Sequence, residues 1–297
     1  MAEIAPFAIL NTGPACNNAC LVCAGERDPA AAPNLEDLRA SLRKARVAGS
    51  RRLLITGGEP TLHGALLEAV RSARAAGLSK IELRTNARLY CYPEEARNAV
   101  SAGITRFEVT VHGHEEKVHE WLTATPKSFV QTCLGIRNLA RLKALVIGAV
   151  VLSRPNYRHL TEIVRLLARL GASSVRFYAP QIMSEELDAK TALIPRMSLA
   201  WPHLRKAIDA AKRAGLSSFV VGIPACIMPG YESRVLHLPP YACARAEEYG
   251  SPLPAACGSC VYFKDCSGPS RSYTRRFGWG EFKPVVMGVN GKTNHGC

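Results

Sequence analysis

The sequence predicts an α/β fold: a partial (βα)6 TIM-like barrel followed by a small, cysteine-rich irregular domain. Three observations carry that prediction. Six short apolar runs recur over the first 180 residues, each separated from the next by an amphipathic helical pattern, which is the signature of parallel strands joined by crossover helices. Glycine and polar residues gather where these runs end, the position at which parallel α/β barrels carry their functional groups. Beyond Pro180 the alternation breaks down and the chain becomes dense in Pro, Gly and Cys, so the expected domains are residues 1–185 and 186–297.

The elements justify themselves in order. Phe7–Thr12 is an apolar run closed by Gly13-Pro14, a strand delivering a cysteine-containing loop. Asn34 is placed to cap a helix whose apolar positions recur through Leu38, Leu42 and Val47. Arg52–Thr56 reads as a buried strand with Gly57-Gly58 just past its end, followed by a helix through Leu66, Leu67, Val70 and Ala73 that Gly77 closes. Strand Lys80–Arg84, helix Glu94–Ala102 and strand Arg106–Val111 continue the repeat. Helix Lys127–Arg141, strand Leu145–Leu152, helix Leu160–Leu170 and strand Ser174–Tyr178 complete it. The tail shows a further helix within Leu193–Gly215 and a strand at Phe219–Ile223.

Composition narrows the setting. At 297 residues and 47% hydrophobic the chain can bury a large core. No run of 18 apolar residues is present, so no membrane helix is expected, and the N-terminus lacks the basic and apolar regions of a signal peptide. Eleven cysteines without such a signal point to a reducing, cytoplasmic compartment and to metal ligation. The net charge of +14 raises nucleic acid as a partner, but the basic residues are scattered over helical faces and form no long run, so it is not favoured.

Cys16, Cys20 and Cys23 form a C-x3-C-x2-C loop. Three thiolates this close can converge on one metal centre. On a four-iron cluster they leave one iron without a protein ligand, where a small molecule can bind. A structural zinc site is the alternative, although such sites prefer four protein ligands and shorter spacings.

These residues carry a resemblance. The triplet, Thr56-Gly57-Gly58-Glu59-Pro60-Thr61 and Thr85-Asn86 together resemble the hallmark motifs of the radical S-adenosylmethionine (SAM) enzymes, over roughly residues 6–185. The resemblance implies a partial (βα)6 barrel, a SAM-binding 4Fe–4S cluster on Cys16, Cys20 and Cys23, and bound SAM. It implies that Gly57 and Gly58 meet the amino group of the SAM methionine moiety and that Glu59 helps neutralise it. The chain departs from the family at Val22, where an aromatic residue usually stands beside the third cysteine and packs near the adenine.

Other strand-end residues are weighed against blander roles. Arg154 suits a carboxylate through its planar fork, and Ser153 suits the ribose or carboxylate of SAM. A helix-capping loop before Asn156 explains both residues equally well. Asn86 stands near SAM or serves only its turn. His112, in a segment with His114 and His119, is the expected catalytic histidine of the cavity, moving protons near neutral pH; the alternative is a surface loop.

In the tail, Cys257, Cys260 and Cys266 form a C-x2-C-x5-C array that resembles the SPASM and shorter twitch extensions of radical SAM enzymes. The position four past Cys266, usually a further cysteine, is Ser270. One auxiliary 4Fe–4S cluster is expected on Cys257, Cys260 and Cys266 with Cys243 as fourth ligand, Cys226 and Cys297 being substitutes; a zinc ribbon is the alternative. Cys91 and Cys133 are expected in helices or core.

The function implied is reductive cleavage of SAM to methionine and a 5′-deoxyadenosyl radical, which abstracts hydrogen from a substrate. Electrons would come from a partner such as ferredoxin or flavodoxin. The auxiliary cluster either accepts the substrate's electron or binds the substrate at an open iron. A peptide undergoing RiPP-type maturation is the first expectation for the substrate, although the barrel starts almost at residue 1 and leaves no leader-binding region before it. A small molecule or cofactor precursor, and RNA or tRNA modification, are the alternatives. A non-catalytic iron–sulfur or zinc protein is the remote one.

Overall fold

The computed structural model describes residues 7–23, 33–181, 191–236, 252–287 and 293–295. Seven strands form one parallel sheet: β1 (Phe7–Asn11), β2 (Arg52–Thr56), β3 (Lys80–Thr85), β4 (Arg106–Thr110), β5 (Leu145–Val151), β6 (Ser174–Tyr178) and β7 (Ser217–Val221). Their order in the sheet is their order in the chain, as right-handed βαβ crossovers produce. Phe7 lies opposite Arg52, Arg52 opposite Lys80, Glu82 opposite Arg106, and Arg106 opposite Leu145.

The strands are near-continuous apolar runs because strands of a parallel sheet are buried on both faces. Leu53, Leu54 and Ile55 of β2, Ile81 and Leu83 of β3, and Phe107 and Val109 of β4 are all buried. Each of the larger side chains contributes roughly 1.5–3 kcal/mol. The charged residues in these strands pair across the register. Arg84 Nε lies 3.0 Å from Glu108 Oε1, and Arg106 Nη1 lies 4.0 Å from Glu82 Oε2. Both carboxylates are buried and would be costly to hold there without a cation.

The connecting helices are α1 (Leu35–Val47), α2 (Leu66–Ala75), α3 (Pro93–Ala102), α4 (Glu116–Thr123), α5 (Ser128–Arg141), α6 (Leu160–Leu170) and α7 (Met197–Arg213). The cap expected at Asn34 is present as a reciprocal box. Asp37 N–H donates to Asn34 Oδ1 at 3.0 Å and Asn34 N–H to Asp37 Oδ2 at 2.9 Å. By packing, the chain divides into two compact units, residues 1–149 with 166–174, and residues 150–165 with 175–297.

Three expectations change. The sheet has seven strands where six were predicted: the run assigned to the tail is β7, and α7 before it continues the same strand–helix alternation. The histidine segment expected as a strand-end loop includes α4, whose buried side is His119, Leu122 and Thr123. Its eight residues hold too few apolar positions to show a helical period. The tail is also less irregular than predicted, with α8 (Arg271–Phe277) and an antiparallel pair, β8 (Val285–Met287) with β9 (Thr293–His295). Among the described residues, no helix is long and apolar enough to cross a membrane.

Candidate active site

The first unit brings the cysteine loop against the double glycine through backbone pairing that runs past the ends of β1 and β2. Thr12 N–H donates to Thr56 O at 2.8 Å, Gly58 N–H to Gly13 O at 2.8 Å, and Glu59 N–H to Ala15 O at 2.7 Å. This close approach is why both glycines are needed. Gly57 has φ +147°, and a Cβ there would stand 2.6 Å from Gly13 O; on Gly58 it would stand 2.3 Å from the carbonyl oxygens of Pro14 and Ala15. The glycines thus admit the cysteine loop's own backbone, a reason additional to any approach by a ligand.

The loop is tethered along its length. Ala19 N–H donates to Thr123 O at 3.0 Å and Leu21 N–H to Leu122 O at 2.9 Å, fixing it to the end of α4. Arg88, in the segment after β3, donates through Nη1 to Asn17 O and to Asn18 Oδ1, the latter at 2.9 Å, and through Nε to Gln131 Oε1 of α5 at 2.7 Å. Asn86 Nδ2 donates to Asn17 Oδ1 at 2.6 Å. Val22, in the position where an aromatic residue was expected, is buried and packs as a core residue. Within the triplet, Cys23 N–H donates to Cys20 O at 3.3 Å and Asn18 N–H to Cys16 Sγ at 3.4 Å.

Glu59 explains the order of the neighbouring strand ends. Its carboxyl group is buried and accepts from Thr61 N–H at 3.2 Å, Thr61 Oγ1 at 2.8 Å, Thr85 Oγ1 at 2.7 Å and Asn86 N–H at 2.6 Å. Burial raises its pKa, and these donors oppose that rise. The side chain therefore ties the turn after β2 to the end of β3. Asn86 is a tether as well: its backbone holds Glu59, its amide holds Asn17, and its Oδ1 accepts from Arg88 N–H at 3.0 Å.

His112 is 4% exposed, against the surface loop weighed as its alternative, but burial pushes its pKa down to about 4, which corrects the near-neutral titration expected of it. Its backbone N–H donates to Nδ1 of the buried His119 at 3.3 Å. His119, pushed down to about 3 by burial and then by His112, packs against Phe129. Near-neutral titration is thus not what His112 offers here.

Ser153 and Arg154 belong to the second unit. Asn156 Oδ1 accepts from Ser153 N–H at 2.8 Å, the capping interaction weighed as their alternative role. Ser153 Oγ is nevertheless buried with no hydrogen-bond partner among the described residues. Arg154 is exposed and its backbone N–H donates to Leu193 O at 2.8 Å.

Also in the second unit, Cys226, Cys257, Cys260 and Cys266 line one cavity of about 410 Å3, counted with the solvent at its mouth. Burial pushes the Cys226 thiol up to about 12, with the charges of Cys266, Cys260 and Cys257 adding to it. Ser270, where a further cysteine was expected, caps α8 and is buried. The predicted fourth ligand, Cys243, and its substitute Cys297 lie outside the described residues.

Both cysteine sets fit iron–sulfur chemistry by their donors: thiols gathered by short turns, with backbone N–H groups already directed at sulfur. Among the described residues no three His, Cys, Asp or Glu side chains stand close enough to share a single metal ion. Sequence reasoning missed Arg88, Asn17, Asn18 and Gln131, which look like ordinary polar loop and helix residues. It also ranked Cys226 second, although its place just after β7 was a signal of the kind used elsewhere.

The radical SAM superfamily model matches residues 10–167, over half of the chain. Among curated relatives, AdoMet-dependent heme synthase of Methanosarcina barkeri is 27% identical over 178 residues, covering 58% of this chain and 50% of that protein. A probable GTP 3′,8-cyclase of Saccharolobus solfataricus is 26% identical over 169 residues, covering 54% and 52%. The chain thus spans about half the length of these relatives. Among solved structures, Streptococcus suis SuiB superposes with a TM-score of 0.61 at 14% identity, covering 73% of this chain and 49% of that one. AnSMEcpe with bound AdoMet gives 0.59 at 14%, covering 72% and 63%. The cysteine loop and its glycine clasp lie within the matched segment, and the chain belongs to the radical SAM superfamily.

Proposed function

We propose that the chain is a radical SAM enzyme that cleaves S-adenosylmethionine reductively and abstracts hydrogen from a peptide, in a maturation reaction. The observation that carries the chemistry is the clasp of the backbone leading into the cysteine loop by Gly58 and Glu59, at the strand end where Cys16, Cys20 and Cys23 follow. Loaded with a 4Fe–4S cluster and SAM, and reduced by a ferredoxin- or flavodoxin-like partner, the site would supply a 5′-deoxyadenosyl radical.

The chain's own residues prepare that event. Cys16, Cys20 and Cys23 hold the cluster and leave one iron for SAM. Gly58 N–H is already used by Gly13, so the carbonyls of Gly57 and Gly58 would be the groups offered to the SAM amino group. Glu59 acts through the threonines and Asn86 that it positions, and its carboxyl group would help neutralise the SAM amino group. Ser153 would offer its hydroxyl to a ribose or carboxylate oxygen and Arg154 its guanidinium to a carboxylate. His112, buried just past the end of β4 and kept neutral, would bound the substrate cavity. The four-cysteine cavity of the second unit holds an auxiliary 4Fe–4S cluster in a twitch- or SPASM-like domain.

A peptide substrate draws support from the resemblance of the tail cysteines to peptide-modifying enzymes, and from SuiB, whose structure is known with its precursor peptide SuiA. The second reading, a small molecule or cofactor precursor, is favoured by the heme synthase and GTP cyclase names of the sequence relatives. Anaerobic reconstitution with iron and sulfide, then addition of SAM and dithionite, should yield 5′-deoxyadenosine. Replacing Cys16, Cys20 and Cys23 together by alanine should abolish it. Product formation by the triple variant would refute the assignment. Deuterium transfer into 5′-deoxyadenosine from labelled peptides, or from labelled tetrapyrroles and nucleotides, separates the two substrate readings.

A further inference from the structure

We propose that Cys226, not Cys243, completes the auxiliary cluster with Cys257, Cys260 and Cys266, leaving it no open iron for a substrate. This rests on the auxiliary-cluster reading above and settles a choice that reading leaves open. The geometry begins with two turns. Cys257 lies in the 3-10 turn Ala255–Ser259, and Cys260 N–H donates to Cys257 O at 2.9 Å, closing the bend a C-x2-C ligand pair needs. Cys226 lies in the 3-10 turn Ala225–Ile227, delivered by the end of β7. All four cysteines line the same cavity.

Backbone donors are aimed at these sulfurs. Val285 N–H donates to Cys260 Sγ and Gly268 N–H to Cys266 Sγ, each at 3.4 Å, and the Lys283 backbone donates to the Cys226 thiol. Such N–H···S bonds favour thiolates and tune cluster potential. Phe263, Trp279 and Phe282 supply much of the remaining lining, so the thiols sit in poor surroundings for free charge and in suitable ones for a soft cluster. Four cysteines satisfy the four irons of such a cluster, and a fifth thiol has no iron left to bind.

The test uses the full chain carrying Cys16→Ala, Cys20→Ala and Cys23→Ala, so that only the tail cluster contributes. After anaerobic reconstitution it should hold about four irons per chain, and cyanide should leave the EPR spectrum of the reduced cluster unchanged. Adding Cys226→Ala should either remove that iron or open one iron, so that cyanide shifts the g-values; Cys226→Ser, closer in size, guards against loss of fold. Adding Cys243→Ala should change neither readout. Iron lost or opened in Cys243→Ala but not in either Cys226 variant would overturn the proposal, as would a cyanide shift in the parent. No iron in the parent would remove the auxiliary-cluster reading itself, and this proposal with it.

Discussion

The two cysteine sites are built on opposite principles. The N-terminal loop is held by polar tethers attached to residues between and around its cysteines: Asn17, Asn18, Ala19 and Leu21 are each fixed from elsewhere in the first unit. The tail cysteines instead line an apolar, aromatic cavity, and backbone N–H groups reach the sulfurs of three of them. On the proposed assignments, a loop with three ligands has no fourth to close it, so the surrounding chain must fix its shape, whereas a four-ligand set would be shaped by the cluster it binds. Preorganisation would then be concentrated where coordination is incomplete.

The strongest way to break this comparison is to disturb the clasp without touching a cysteine. A Cβ on Gly58 would meet two backbone oxygens at 2.3 Å, and backbone cannot move aside as a flexible side chain can. Gly58→Ala should cost about 3 kcal/mol or more by overpacking and eliminate iron binding at the N-terminal loop. Tail iron, measured after reconstitution, should be retained. Equal loss at both sites would mean that they are not independently built.

The next effect comes from Glu59. Glu59→Ala leaves the donors on Thr61, Thr85 and Asn86 without their acceptor, at a cost of about 2–3 kcal/mol in the apo-protein. Urea unfolding should show it as a lower midpoint, and SAM affinity should fall with it. Unchanged stability would show that the carboxyl group organises nothing.

These two residues also mark how far the sequence could be read. The Cys16–Cys23 spacing and Gly57-Gly58-Glu59 were legible because each chemistry demands particular residue types at fixed separations. The sheet was legible because buried parallel strands are continuous apolar runs, as Leu53, Leu54 and Ile55 show. Glu59's partners were not legible, because Thr61, Thr85 and Asn86 meet it only once strand ends are brought side by side. The burial of His119, a neighbour of His112 in the sequence, was not legible: eight residues of helix leave too short a pattern to mark a core position. The proposed role of Cys226, 31 residues before Cys257, depended on where the end of β7 delivers it.

An acid titration comes next in size. His112 has a pKa near 4 in the folded state against 6.5, so below 6.5 the unfolded chain binds more protons and stability falls as pH drops. From pH 7.5 to 5, His112 should account for about 2 kcal/mol, with His119 acting in the same direction. Glu59, whose pKa is raised by burial, works oppositely: as pH climbs through 4.5 toward its folded value, the stability it lends falls. The urea midpoint of the apo-protein should drop at pH 5, and by less in His112→Gln. An equal drop in both would place the pH sensitivity outside the histidine pair.

The smallest effect sharpens the comparison most, because it alters one tether and leaves every ligand and glycine in place. Arg88 reaches Gln131 through Nε while Nη1 serves Asn17 O and Asn18 Oδ1. A lysine ammonium lacks the planar fork that spans both directions, so Arg88→Lys should keep the charge and lose one side of the bridge, at about 1 kcal/mol. Global stability should scarcely register this. Amide exchange in the apo-protein should register it as faster exchange at Ala19 and Leu21, whose bonds to Thr123 O and Leu122 O depend on a fixed loop. Exchange at Cys260 and Gly268 in the tail should be unchanged. SAM should bind several-fold more weakly to the reconstituted variant, since the loop must now be ordered on binding. If Ala19 and Leu21 remain protected in Arg88→Lys, the bonds to α4 hold the loop alone and Arg88 is not one of its supports.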